Sequence, residues 1–142
     1  MQMRQSKTVT AIVIFGVLLV AAACGGNNSG APASNGLTGN WHGTVQDSLF
    51  GTGQVSFQVT QTGSNVAGKW TMTFSNPPND GAGDVSGSTS GASVQMTFAP
   101  ASPNPCTTFV TGSVAAGGDQ MSGTYNNGNC PNQESGTFTA SK

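Results

Sequence analysis

From Leu37 onward the chain alternates between two kinds of position. Leu37, Gly39, Trp41, Gly43 and Val45 fall on one face, against Asn40, His42 and Thr44 on the other. Val55, Phe57 and Val59 then alternate with Gln54, Ser56 and Gln58. After a turn at Gly63, Val66, Gly68, Trp70, Met72 and Phe74 alternate with Ala67, Lys69, Thr71 and Thr73. A period of two places successive side chains on opposite faces of a β-strand. The Ser75–Gly83 stretch holds Pro77-Pro78 and Asp80-Gly81, which break strands. Val85, Gly87 and Thr89 mark a fourth strand and Val94, Met96 and Phe98 a fifth, around a turn at Ser90-Gly91. A Pro-rich loop, Ala99 to Pro105, leads to Val110, Gly112 and Val114. The Ala116-Gly117-Gly118 turn leads to Met121, Gly123 and Tyr125. The loop 126–133 precedes Gly136, Phe138 and Ala140.

No stretch of this region carries an apolar period of 3.6, so the pattern predicts an all-β domain over 37–142. Eight short strands with short connections predict an antiparallel up-and-down β-barrel; a β-sandwich is the alternative. A barrel removes free sheet edges, which a domain with few charges otherwise struggles to protect.

A short unit recurs within the strands: Thr38-Gly39-Asn40-Trp41, Ala67-Gly68-Lys69-Trp70, Ser86-Gly87-Ser88-Thr89, Ser122-Gly123-Thr124-Tyr125 and Ser135-Gly136-Thr137-Phe138, with Thr111-Gly112-Ser113-Val114 as a looser copy. Gly and the large residue two positions later face the same way. Inward glycines make room for a neighbouring aromatic and let a strand coil sharply. The same glycines could instead leave a cavity, with Trp41, Trp70 and Tyr125 lining an apolar or sugar-stacking pocket.

Ahead of this domain the pattern changes. Arg4 and Lys7 precede an uncharged run of 13 residues, Ala11 to Ala23, ending in Ala21-Ala22-Ala23-Cys24. A helix needs about 20 apolar residues to span a bilayer, so the segment 1–23 is a secretory signal peptide. Its exit resembles the lipobox of bacterial lipoproteins. That resemblance implies a diacylglyceryl group on the Cys24 thiol, cleavage before Cys24, and fatty acyl groups such as palmitate holding the mature chain to a membrane. Leu is usual where Ala21 stands, and Ala21-x-Ala23 also fits ordinary secretory cleavage, which releases a soluble protein. Gly25 rather than Asp follows the cysteine, which by resemblance to enterobacterial lipoproteins implies a lipid-anchored place in the cell envelope, at the outer membrane. Residues 25–36 are small, polar and uncharged, a linker reaching about 40 Å when extended.

Three cysteines leave an odd thiol in an exported protein. Lipidation of Cys24 accounts for it and pairs Cys106 with Cys130, a disulfide suited to an oxidising compartment.

Residues 24–142 carry two lysines against five carboxylates, a net charge of −3. No basic patch exists to neutralise phosphates, which excludes nucleic acid as a partner. His42 is the only histidine and falls on the polar face of its strand, so a histidine metal cluster is excluded by count. Asp80-Gly81-Ala82-Gly83-Asp84 holds two carboxylates, short of a calcium ligand set. No nucleophile motif, phosphate loop or paired acid constellation is present. The expectation is a protein without catalytic residues, metal or cofactor.

Leu37-Thr38-Gly39-Asn40-Trp41 resembles the first strand of avidin and streptavidin, and Phe57 through Trp70 resembles their second and third strands. In that family an aromatic residue, then a polar residue that holds the biotin ureido group, follow the first tryptophan; here His42 and Gly43 stand there. Met72 stands where the family has a ligand-binding serine. The resemblance therefore implies the barrel and not a biotin site. The sequence supports two functions: a lipid-anchored barrel that meets an unknown protein or glycan, or a lipocalin- or avidin-like carrier of a small apolar ligand.

Overall fold

The structure is a computed structural model and describes residues 36–75, 80–101, 106–128 and 130–142. The expected signal peptide, Cys24 and all of the expected linker before Gly36 lie outside the described residues.

The strands are β1 (Gly39–Asp47), β2 (Gly51–Thr62), β3 (Asn65–Phe74), β4 (Gly81–Ser90), β5 (Ser93–Pro100), β6 (Thr108–Val114), β7 (Gln120–Asn126) and β8 (Ser135–Ser141). Each pairs antiparallel with the next, and β8 pairs back onto β1 with Val45 opposite Phe138, so the sheet closes as an eight-stranded up-and-down barrel. The alternation sets the register: Trp41 stands opposite Phe57, and Phe57 opposite Trp70, all on the inner face. The sandwich alternative is thereby set aside.

One strand begins earlier than its composition indicates. The glycine-rich stretch before Val85, expected to be loop, is part of β4: Gly81 pairs with Met72 and Gly83 with Trp70. A Cβ on Gly81 would stand 2.8 Å from Cη2 of Trp70. The absent side chain leaves space for the indole, so a residue that disfavours strands is what the closed sheet accommodates there. The recurring Gly-aromatic unit works in the same manner across strands. Gly123 pairs with Phe138 and Gly136 with Tyr125, and a Cβ on either glycine would overlap its partner's ring.

Short turns carrying Gly63, Gly91 and Gly118, each at positive φ, join strands at one end of the barrel. That end is sealed. Trp41 is fully buried, stacks on Phe57 with ring centroids 5.9 Å apart, and donates its indole N–H to the Leu37 carbonyl at 2.8 Å. Leu37, itself buried, donates its amide to Gln61 Oε1, and Thr38 Oγ1 accepts from the Gln61 amide. Lys142 Nζ lies 5.1 Å from the centre of the Trp41 ring. Val59, Val66, Val94 and Met121 complete the packed interior near this end.

Candidate functional site

Odd strands finish, and even strands start, at the opposite end. Asp47, Phe74, Pro100 and Asn126 therefore share one rim with Gly51, Gly81, Thr108 and Ser135. The inward-facing frame changes character here. It runs from Val45 to Asp47, from Val110 to Thr108, from Tyr125 to Asn127 and from Phe138 through Gly136 to Glu134. Polar groups at the last inward position admit water, so the barrel opens as a cup instead of ending in a second plug.

The cup encloses about 300 Å³. Trp70, Met72, Phe98 and Tyr125 line its inner part, while Phe50 and Phe74 line its rim. Beneath Phe98 and Tyr125 only a residual void of about 10 Å³ remains among Val45, Val55, Phe57 and Phe138. The interior is thus a filled plug below and a cup above. The indole of Trp70 is positioned twice, by stacking on Phe98 at 5.4 Å between centroids and by a long N–H bond to the Ala99 carbonyl at 3.4 Å. Phe98 in turn tilts against Phe57 at 5.9 Å, so one line of rings runs from the cup to the sealed end at Trp41.

The polar side of the cup is acidic. Tyr125 donates its hydroxyl to Asp47 Oδ2 at 2.6 Å, and Asp47 Oδ1 accepts the amides of Leu49 and Phe50 at 2.7 and 3.0 Å. Asn127, 4% exposed, donates to Glu134 Oε2 at 2.7 Å and accepts the Glu134 amide at 2.6 Å. Burial, and then the nearby Asp47 carboxylate, push the Glu134 carboxyl above its ordinary range. Burial, the hydrogen bond to Asp47 and the charges of Asp47 and Glu134 hold the Tyr125 phenol protonated far above a free tyrosine. Asp80 also lines the cup, its Oδ1 accepting the Phe74 amide at 2.8 Å.

Of the three pocket residues expected from sequence, Trp70 and Tyr125 come together in the cup. Trp41 lies in the sealed half and is not among the cup residues. Cys106 and Cys130, also at the rim, stand at disulfide distance with Cα atoms 5.4 Å apart. This would bind the entry to β6 to the segment after β7. His42 is on the outer wall, its Nδ1 3.0 Å from Ser56 Oγ. The two aspartates of the 80–84 stretch part company: Asp80 faces the cup and Asp84 forms an exposed ion pair with Lys69 outside. Among the described residues no group of His, Cys, Asp and Glu is arranged to hold a metal ion. The outer wall carries two open depressions, one of about 530 Å³ over β1, β6, β7 and β8 lined by Thr44, Ser122 and Thr139, and one of about 170 Å³ over β1, β2 and β3 lined by His42, Ser56 and Lys69.

Sequence reading passed over Asp47, Asn127 and Glu134. The available signal was the alternation itself: continuing the inward frames past their last large apolar residue, one step from Val45 and Tyr125 and two from Phe138, reaches all three.

Fold and site together define a small closed β-barrel with one sealed end and one aromatic, acidic cup. No family model matches the chain, and no curated protein matches it. Among solved structures the chain is similar to EF1p2_mFAP2b bound to DFHBI, with 12% identity and a TM-score of 0.65, covering 79% of this chain and 98% of that one. At that identity the likeness concerns the fold alone.

Proposed function

We propose that the protein is a lipid-anchored barrel of the bacterial cell envelope that captures a small molecule in its cup. The observation that carries this reading is the cup of about 300 Å³ with Trp70 and Tyr125 on its wall. A volume of that order, apolar with a few placed polar groups, is what a small-molecule site requires. The similar barrel that was solved with DFHBI bound lends support, because it is the same closed architecture with a ligand. The tether reading rests on the Ala21-Ala22-Ala23-Cys24 exit. The described chain starts at the sealed end, beside Lys142, whose ammonium donates to the Gly36 carbonyl. An anchor joined through the linker would attach at the sealed end, leaving the cup end without an attachment.

The test uses N-phenyl-1-naphthylamine, a neutral dye that brightens in apolar sites. The expected result is saturable binding that quenches tryptophan emission and is lost in Trp70→Leu. Binding that does not saturate, or that Trp70→Leu leaves intact, overturns the reading. A second reading, a protein-interaction module, draws on Leu49 and Phe109, which are 54% and 47% exposed at the cup end of the barrel. It becomes the better account if the dye fails to bind.

A further inference from the structure

We infer that the cup selects an organic cation with an aromatic or alkyl body, an amine or a quaternary ammonium compound. This rests on the proposed small-molecule reading of the cup and names the chemistry of its ligand.

Three observations converge. The cavity has aromatic walls, since Trp70, Phe98, Phe74 and Phe50 all line it. Ring faces attract a cation as well as an apolar body. Secondly, Asp47, Asp80 and Glu134 line the same space, and no Lys, Arg or His is among the residues that line it. The two described lysines are engaged elsewhere, Lys69 with Asp84 on the outer wall and Lys142 over Trp41 at the sealed end. Thirdly, two of the carboxylates are held in place by backbone amides, Asp47 by Leu49 and Phe50, and Asp80 by Phe74. These bonds orient both carboxylates, Asp47 half-buried on the wall and Asp80 at the exposed rim.

The alternatives fit less well. An anion would meet three carboxylates with no compensating cation. A neutral apolar ligand would strip water from those carboxylates and return nothing. A bare metal ion finds no suitable cluster of ligands among the described residues. A positive head on an apolar body satisfies both walls at once: the head lies near Asp47 and Glu134, and the body stacks on Trp70 and Phe98.

The experiment is a displacement series on the purified full chain with N-phenyl-1-naphthylamine bound. The competitors are benzyltrimethylammonium, benzyl alcohol and benzoate, which share a ring and differ in charge. Benzyltrimethylammonium is expected to displace the dye at a concentration about tenfold below that of benzyl alcohol, with benzoate weakest. Glu134→Gln should shrink that preference to roughly threefold or less, whereas Asp84→Asn, outside the barrel, should keep it. Because each preference is a ratio within one protein, loss of stability in a variant does not imitate the effect. If the dye binds and depends on Trp70, yet the three competitors displace it equally, the cation inference fails and the cup stands. If neither the dye nor any competitor alters Trp70 emission, the cup reading falls and this inference falls with it.

Discussion

Tyr125 Oη donates to Asp47 Oδ2 at 2.6 Å, joining β7 to β1 across the intervening β8. The other carboxylate oxygen of Asp47 holds the Leu49 and Phe50 amides. One side chain thus shapes the β1–β2 turn and fixes a wall of the cup. Removing only the hydroxyl, in Tyr125→Phe, should cost about 1–2 kcal/mol and lower Tm by roughly 5–10 °C. The pH response is a separate signature. Burial and then Asp47 hold the phenol protonated in the folded state, so above a pH of about 10 the unfolded chain loses a proton that the folded one keeps. Stability should therefore fall as pH rises past that point. Tyr125→Phe should flatten this alkaline limb, as calorimetry between pH 9 and about 11 would read. An unchanged limb would remove Tyr125 as its cause.

Gly68, with Gly43 and Gly83, marks the closest approaches between strands. A Cβ on Gly68 would lie 1.9 Å from the Gln58 carbonyl oxygen and 2.8 Å from Val59 Cα, both backbone atoms. No rotamer change relieves such an overlap; β2 and β3 must separate. Gly68→Ala should cost more than about 3 kcal/mol in urea unfolding. Gly91→Ala serves as contrast. It has open space within 4 Å but a φ of +59°, so it should cost only about 1–2 kcal/mol. Equal costs would mean that crowding at Gly68 is relieved without loss.

Much of the barrel was legible because its inner and outer faces differ sharply. Trp41, Phe57, Trp70 and Tyr125 alternate with Ser, Thr, Gln and Lys, and a one-residue slip would bury the latter. The long and short connections were legible too. The Gly63, Gly91 and Gly118 turns belong to one end, while the longer loops after Phe74, Pro100 and Asn126 belong to the other. What the pattern did not separate was the sealed half from the open one. Trp41 and Trp70 sit in the same Gly-x-aromatic unit, yet Trp41 is at the sealed end and Trp70 on the cup wall. The difference lies in partners far along the chain. Leu37 and Lys142 cover Trp41, and the inward frames that turn polar at Asp47, Asn127 and Glu134 open the space beside Trp70. Such contacts depend on closure and cannot be read from one strand.

That division of roles predicts opposite binding phenotypes for the two tryptophans. Trp41→Phe loses the bond to the Leu37 carbonyl and leaves a cavity, which should cost about 1–3 kcal/mol while dye affinity stays within roughly twofold. Trp70→Leu should abolish dye binding and, since Trp70 is also buried and stacked on Phe98, cost about 2–4 kcal/mol in stability. Loss of binding in Trp41→Phe under conditions where it remains folded would relocate the site toward the sealed end.

Cys106 and Cys130 flank β6 and β7 at the cup rim. A bond between them closes a loop whose constraint is worth roughly 3 kcal/mol in the chain-entropy account. Peptide mapping without reductant should recover the two cysteines joined, and the double replacement by serine should lower stability by about that amount. Two free thiols in protein isolated from an oxidising compartment would refute the pairing.

The anchor is tested by moving the protein rather than unfolding it. Cys24→Ser removes the only sulfur at the Ala-Ala-Ala exit and leaves the sequence of the barrel, described from Gly36 onward, unchanged. If acyl chains on Cys24 hold the protein, the variant should leave the membrane fraction or remain as an uncleaved precursor, and the wild type should carry acyl mass on its first mature residue. Several acyl chains give durable attachment where one gives only marginal binding, so the wild type should also resist extraction by high salt. The barrel offers no rival route to the membrane through charge, because its lysines are few and the domain is acidic overall. A Cys24→Ser protein that is cleaved, stays with the membrane and still binds the dye would therefore show that something other than the lipid holds it there, and would return the exposed side chains Leu49 and Phe109 to consideration as contacts for an envelope partner.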